Sequence, residues 1–345
     1  MSLLATRMLE YRAASPNLSK NTARASRYGA FDTFARGNGE ANSIITPEME
    51  SAAMSQVGRD LKVPVFDTQS ISIGSTRTLT IADDDNDSAL YTVSFTTLSW
   101  GFTQVPARFI NNEIGQQQDF NRKFEKYLYA VGTTVEDLAL AALDTNKSQV
   151  YNSLLNYTLS VADEVVAAQA DKDRLISDLT PLLNANDFYN DIHVVGNPGL
   201  QSQMLELSKH SLFNDEDQTI SFQGKEFHFT NQLADDVLHE ATGYAVPKGN
   251  VGLLFRQEAE ALLGTQMGDS TRWGINNLPL LNIPVSTYEY EAAVDDSSTH
   301  AGTSHLERVR KQFFGWSVEV ATIVAYNDDL AANASPIVKF AIAKL

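Results

Sequence analysis

The chain has 345 residues, 43% of them hydrophobic and 20% charged. That is enough for about two domains with buried cores and too apolar for a wholly disordered chain. Cysteine is absent, which excludes disulfides, thiolate zinc sites, iron–sulfur clusters and cysteine nucleophiles together and leaves the redox compartment unspecified. Forty-three acidic against twenty-six basic residues give −17, the wrong sign for a free-standing nucleic-acid binder, whose affinity rests on cations against phosphates.

The N-terminal stretch differs from the body. Residues 1–36 carry Arg7, Arg12, Lys20, Arg24, Arg27 and Arg36 against Glu10 and Asp32, a net of +4 that leaves −21 on the remainder. It has no basic region leading into an apolar stretch and no small-residue cleavage site, so the chain reads as a soluble product made without an export signal. The longest apolar run, Leu138–Leu143, is far short of a membrane span, and no membrane partner is expected. A basic, Ser/Asn/Ala-rich leader on an acidic body reads as an arm in need of a partner surface, or else as a frayed end. Thr46-Pro47 followed by Glu48 predicts a short helix running to about Val57, with Thr46 as its cap.

Period-two alternation begins near residue 64. Ile71, Ile73, Leu79 and Ile81 alternate with polar residues, as do Tyr91, Val93 and Phe95, with Leu98, Trp100 and Phe102 beyond them and Asp83, Asp84, Asp85 and Asp87 between. The pattern predicts a hairpin with arms of roughly 14–16 residues, or roughly 45–50 Å at about 3.3 Å per residue. Such a ribbon is marginal in water by itself, so much of it should lie on another subunit. Residues 116–151 follow as one long helix, with Phe120, Phe124, Leu128, Val131, Val135, Leu138 and Ala142 on one face and a kink expected at Gly132.

A second helix is expected over Val161–Leu179, ending at Pro181. Ile192–Val195 reads as a buried strand, and Asn197 as the cap of a helix starting at Pro198. Ile220–Phe222, Phe227–Phe229, Gly243–Val246, Val251–Phe255 and Leu280–Tyr290 read as strands, with a turn at Pro247–Asn250. Residues 291–305 are polar and read as loop, after which Phe313–Tyr326 and Pro336–Leu345 alternate again. No repeat of 20–50 residues is evident.

Little in the chain reads as chemistry. There is no HExxH, no GxSxG and no GxxxxGK[ST] motif. His300 and His305 are spaced wrongly for one helical face, and His239-Glu240 reads as a surface helix turn. His193 and His228 lie in apolar strands, where a hydrogen-bonded core histidine is the usual case. Gly243, Gly249 and Gly252 do not match GxGxxG and read as hairpin turns. Asp83–Asp87 resembles half of a calcium loop, but Ser88 stands where the glycine belongs and Ser94 where the glutamate belongs, so it reads as a solvated tip. The sequons at Asn17, Asn146 and Asn156 carry nothing without an export signal. No cofactor and no metal is expected.

The order of elements supplies a resemblance. A loose arm, a long hairpin with an acidic tip and a long helix opening Gln116-Gln-Gln-Asp-Phe-Asn-Arg-Lys-Phe-Glu125 resemble tailed-phage major capsid proteins of the Hong Kong 97-type fold. Residues 64–106 resemble its E-loop and 116–151 its spine helix. Ile192–Pro198 and Gly243–Gly249 resemble the axial-domain core, and Phe313–Tyr326 the strand returning to the peripheral domain.

The resemblance implies an α+β protein with an N-terminal arm over 1–62 and an E-loop hairpin over 63–107. A peripheral domain over 108–180, an axial domain over 181–312 and closing strands over 313–345 would follow. It implies a structural subunit, not an enzyme, that self-assembles into hexamers and pentamers of an icosahedral shell in the virion. The partners implied are scaffold, portal and decoration proteins and non-specifically contacted double-stranded DNA. Expected inter-subunit contacts are Arg7, Arg12, Arg24, Arg27, Arg77, Asp83, Asp84, Asp85, Asp87, Tyr91 and Trp100. Deleting residues 1–36 should impair assembly and leave a soluble subunit. The founding member of the family joins its subunits through an E-loop lysine. Here residues 63–122 contain no lysine, so the shell is expected to be held non-covalently. The alternatives are an encapsulin-type compartment, a tail, portal or decoration component, or an α/β enzyme.

Overall fold

A computed structural model describes residues 3–14, 28–38, 43–55, 60–65, 89–110, 112–151, 157–189, 191–207, 212–214, 219–233, 237–263, 271–279, 281–300, 303–325 and 335–344. The helices are α1 (Leu3–Ala14), α2 (Gly29–Gly37), α3 (Pro47–Ser55), α4 (Glu113–Thr145), α5 (Lys172–Asn184), α6 (Pro198–Leu207) and α7 (Ala259–Leu263). The strands are β1 (Leu61–Val65), β2 (Ala89–Val93), β3 (Thr96–Gln104), β4 (Thr158–Leu159), β5 (Val165–Ala167), β6 (Ile192–Gly196), β7 (Leu212–Asn214) and β8 (Thr219–Phe222). They continue with β9 (Lys225–Phe229), β10 (His239–Pro247), β11 (Val251–Arg256), β12 (Arg272–Asn277), β13 (Pro284–His300), β14 (Thr303–Val324) and β15 (Val338–Ala343).

The strands form two large sheets. One has eight strands in the order β4-β5-β15-β10-β6-β9-β8-β7; the other runs β11-β14-β13-β12, with β3 also on β14. Helix α4 packs along the second sheet. Asn112 caps it by accepting from the Gly115 N–H at 2.9 Å, and Glu113 complements the helix dipole in the first turn. Its stripe of Phe120, Phe124, Leu128, Val131, Val135, Ala139 and Leu143 is buried against β3 and β14. The aromatic centre of that core is tight: Phe102 lies 5.3 Å from Phe120 and 5.4 Å from Trp316, and Phe120 meets Phe314 edge-on at 5.4 Å. A second core joins α5 and α6 to the eight-stranded sheet through Leu175, Leu179, Leu200, Phe227 and Phe340. Asn197 caps α6 as expected, its Oδ1 accepting from Leu200 at 3.0 Å, and also receives the Thr242 N–H of β10 at 3.2 Å. The expected turn at Pro247–Asn250 is present, with Gly249 at φ 81°.

Several expectations are corrected. Helix α4 is one continuous span through Gly132, and the glycine there makes room for the Tyr28 ring: a Cβ would stand 2.6 Å from Tyr28 Cζ. The helix expected from Val161 starts only at Lys172, since Val165–Ala167 pairs in parallel with Phe340–Ile342, and it continues past Pro181 because Leu182 and Leu183 are buried. Residues 96–104 pair with β14 rather than extending the hairpin arm, with Trp100 opposite Trp316. Residues 291–300 and 303–305 are not loop: β13 and β14 pair continuously from Ser286↔Ser317 to His300↔Thr303. His239-Glu240 opens strand β10 instead of a helix turn. Gly243 and Gly252 sit within strands β10 and β11, not in turns. The basic leader is not a free arm in its described parts: Leu4, Met8, Phe31 and Phe34 lie in the body's core, so removing residues 1–36 is expected to cost core packing as well as any assembly contact.

Candidate functional site

The N-terminal helices are held by carboxylates from distant elements. Glu289 of β13 accepts the Leu3 and Leu4 N–H groups at 3.1 and 2.7 Å, and Glu136 of α4 accepts those of Ala30 and Phe31 at 3.0 and 2.7 Å. Both take up backbone donors that a helix N-terminus leaves open. Glu136 is fully buried, and desolvation outweighs these hydrogen bonds and raises its pKa to about 7. Arg7 is committed within the chain. Its guanidinium donates to Gln104 Oε1 at 2.7 Å and lies 5.8 and 5.9 Å from the Phe120 and Phe314 ring centres, and burial lowers its pKa.

Of the other residues expected at contacts, Trp100 is half-buried and stacks on Trp316 with centroids 6.5 Å apart. Tyr91 is exposed on β2, which pairs with β1 from Leu61↔Val93 to Val65↔Ala89. Lys62 lies in β1, one position before the lysine-free stretch. Arg12 is in α1, and its side chain lies outside the described residues, as do Arg24, Arg27, Arg77, Asp83, Asp84, Asp85 and Asp87.

The described ribbon with the longest reach is one the sequence did not suggest. Beyond Glu289 on one edge and Gln312 on the other, neither β12 nor β3 continues, so from Ala292↔Lys311 to His300↔Thr303 each strand has only the other beside it among the described residues. Nine residues at about 3.3 Å each carry the ribbon about 30 Å past the sheet. Its root is fastened by stacked Tyr290 and Phe313 at 4.5 Å and by the Glu291–Arg310 ion pair. Large apolar side chains are also exposed at Ile110, Ile114, Val161, Tyr189, Val237 and Leu238, mostly on the approaches to helices and strands.

A polar cluster lies within the eight-stranded sheet. His193 Nδ1 is 3.1 Å from His228 Nε2 and 3.5 Å from Glu226 Oε2, and both rings are buried. Burial lowers the His193 pKa to about 4, against the pull of Glu226, and holds His228 well below its ordinary value, so both rings are neutral at pH 7. Partial burial pushes up on the Glu226 carboxyl, but its hydrogen bond from Lys248 at 2.9 Å and the surrounding positive groups prevail and lower its pKa. Each histidine is a buried, hydrogen-bonded core residue as the sequence leads one to expect; their contact with one another and with Glu226 was missed. The signal for it is Glu226-Phe227-His228, whose first and third members face the same side of a strand. A cleft of about 580 Å³, lined by Phe31, Asp32, Arg36, Met54, Leu254 and Ile283 among others, opens beside α2 and α3.

A long helix laid on an antiparallel sheet, a second mixed sheet, and a strand pair running well past its neighbours define an α+β protein of extended form. No protein-family model matches the sequence, and no curated protein matches it. Among solved structures, a chain of Mycobacterium phage Adephagia is similar over 100% of this chain and 99% of its own, at 12% identity and TM-score 0.51. A chain of Mycobacterium phage Cain is similar over 100% and 99%, at 11% identity and TM-score 0.49. One of the Cyanophage Pam1 capsid asymmetric unit is similar over 96% and 97%, at 12% identity and TM-score 0.47. The Adephagia chain shows that the present fold, over its full length, is one found in a phage protein.

Proposed function

We propose that this chain is the structural subunit of a self-assembling icosahedral phage capsid that encloses a double-stranded DNA genome, with its place in the virion. The observation that carries this reading is the β13–β14 ribbon, whose distal part has no supporting strand among the described residues. An isolated two-stranded ribbon is marginal in water and leaves both edges open to another chain. The fold shared with a phage chain and the sequence resemblance to phage shell proteins agree with it.

In this reading the sheet containing β3 and β11–β14, with α4, is the peripheral domain and the eight-stranded sheet is the axial domain, which moves β11–β13 out of the expected axial span of 181–312 and β4 and β5 out of the expected peripheral span of 108–180. The β1–β2 pair is the base of the E-loop, and the basic leader lies toward the lumen. Tyr91, Trp100, Arg77 and the Asp83–Asp87 cluster remain the proposed contacts, with scaffold, portal and decoration proteins as further partners. Electron microscopy of the expressed protein tests it. Closed shells are expected, carrying nuclease-protected nucleic acid when made during infection and dissolving to single chains on denaturing gels. A monodisperse monomer at high concentration refutes the reading, and shells filled with a protein cargo assign it to a compartment instead.

A further inference from the structure

We propose that His193, Glu226 and His228 form a binding site for a divalent transition-metal cation of the zinc type, built across strands β6 and β9. The backbone sets the arrangement. The two strands are parallel, with His193 beside Glu226 and Val195 beside His228. Residues two apart on a strand project to one face, so Glu226 and His228 share a face, and the neighbouring strand brings His193 to it. One donor atom from each of the three lies within 4.8 Å of the others.

The spacing suits a tetrahedral ion. With metal–nitrogen and metal–oxygen bonds of about 2.0–2.2 Å, adjacent donors stand about 3.4 Å apart. The measured edges are 3.1 Å between His193 Nδ1 and His228 Nε2, and 3.5 Å between His193 Nδ1 and Glu226 Oε2. Shifts of a few tenths of an ångström bring both to the bound value, and the third edge, His228 to Glu226, within 4.8 Å, closes by rotation of the partly exposed carboxylate. The two carboxylate oxygens are already differentiated. Oε1 takes the Lys248 ammonium at 2.9 Å, the kind of outer contact that orients a ligating carboxylate, and Oε2 is the one turned toward His193. Glu226 is partly exposed, so solvent reaches the cluster from its side and supplies the fourth ligand.

Proton accounting is simple. As the ion enters between the rings, the proton shared there moves to the outer nitrogen of the ring that carried it, which leaves His193 as its Nε2–H tautomer and His228 as its Nδ1–H tautomer. Both imidazoles stay neutral, and no proton need leave the protein. One competitor is present: Arg36 stands 3.8 Å from Glu226 Oε2, and its partly exposed side chain must swing toward solvent when the cation enters. Two imidazoles and one carboxylate favour zinc, copper or nickel over magnesium or calcium. A bound ion would pin β6 to β9 in the middle of the eight-stranded sheet, whether or not the chain builds a shell.

The test uses the full-length protein, stripped with chelator and re-equilibrated separately with zinc, cobalt and magnesium chloride. After gel filtration, elemental analysis should find about one zinc per chain, and the cobalt form should show the intense visible bands of a tetrahedral site. The melting temperature should rise with zinc and stay unchanged with magnesium. Glu226→Gln, on the exposed side of the cluster, should weaken zinc binding by roughly tenfold or more, and His228→Gln should abolish it. If His228→Gln fails to fold, the wild-type stoichiometry and cobalt spectrum together with Glu226→Gln still decide. Substoichiometric zinc, an octahedral cobalt spectrum, an equal response to magnesium, or unchanged affinity in Glu226→Gln would each overturn the assignment.

Discussion

Gly132 shows how a residue can be chosen for its neighbour rather than for its helix. Alanine there should favour the helix by about 1 kcal/mol on propensity alone. The Tyr28 ring, fully buried, occupies the space the methyl would need, with its Cζ only 2.6 Å from the added carbon. Gly132→Ala is therefore expected to destabilise the chain by about 1–3 kcal/mol in urea unfolding. Adding Tyr28→Ala to that variant should make the second change cost less than it does alone, and strict additivity would remove the steric explanation. Glu136 makes a different prediction. Its carboxyl is raised from 4.5 to about 7 by burial, with Asp32 adding to the rise and the Phe31, Thr230 and Ala30 hydrogen bonds opposing it. The folded state therefore holds this proton more tightly than the unfolded one. The contribution is fully present below about pH 4.5 and is lost as pH rises toward 7, on the order of 3 kcal/mol in all. Thermal unfolding of the wild type should show that decline over pH 4.5–7, and Glu136→Gln should flatten the difference between the two curves.

At the scale of elements, the β13–β14 ribbon separates folding from assembly. The root of the ribbon belongs to the core, where Phe314, Trp316 and Val318 are buried, while the stretch beyond Ala292 and Lys311 pairs only with itself among the described residues. Replacing residues 296–307 with a two-residue Asn-Gly turn, which joins the paired Asp295 and Arg308, should leave the melting temperature within a few degrees of wild type, because no strand of the sheet is removed. The same change should sharply lower the yield of closed particles in sedimentation. Particles formed in normal yield would show that this ribbon bears no inter-subunit contact. Helices α1 and α2 behave in the opposite way. Each has its N-terminus closed by a carboxylate from another element and an apolar face in the main core, so they are parts of the folded body and not appendages to it.

On the scale of the whole molecule, the acidic balance and the extended strands fit one picture. With −17 overall, like subunits repel at long range, and close contacts must supply the association energy. That puts the weight on interlocked strands and apolar anchors, where each contact holds the next at high effective concentration. The described lysine nearest the hairpin, Lys62, lies in β1 and pairs opposite Thr92. The chain therefore presents no lysine along the rest of the stretch from 63 to 122, consistent with a shell held without covalent joints.

What could be read from the chain alone was whatever depends on neighbours in sequence. The apolar stripe from Phe120 to Ala142 identified α4, the Asn197-Pro198 pair identified the cap of α6, and the short apolar runs Ile192–Val195 and Val251–Phe255 identified inner strands. What only the tertiary structure decided was the set of partners. Val165–Ala167 became a strand because Phe340–Ile342 lay beside it, and the polar residues 291–300 and 303–305 became a ribbon because the two segments could pair with each other. The same holds for the carboxylates. Glu136, Glu226 and Glu289 each acquire part of their role from a group distant in the chain, Phe31 for Glu136, His193 for Glu226 and Leu4 for Glu289. Hydrogen-bond satisfaction and close packing are settled between segments distant in sequence, so local pattern carries no trace of them.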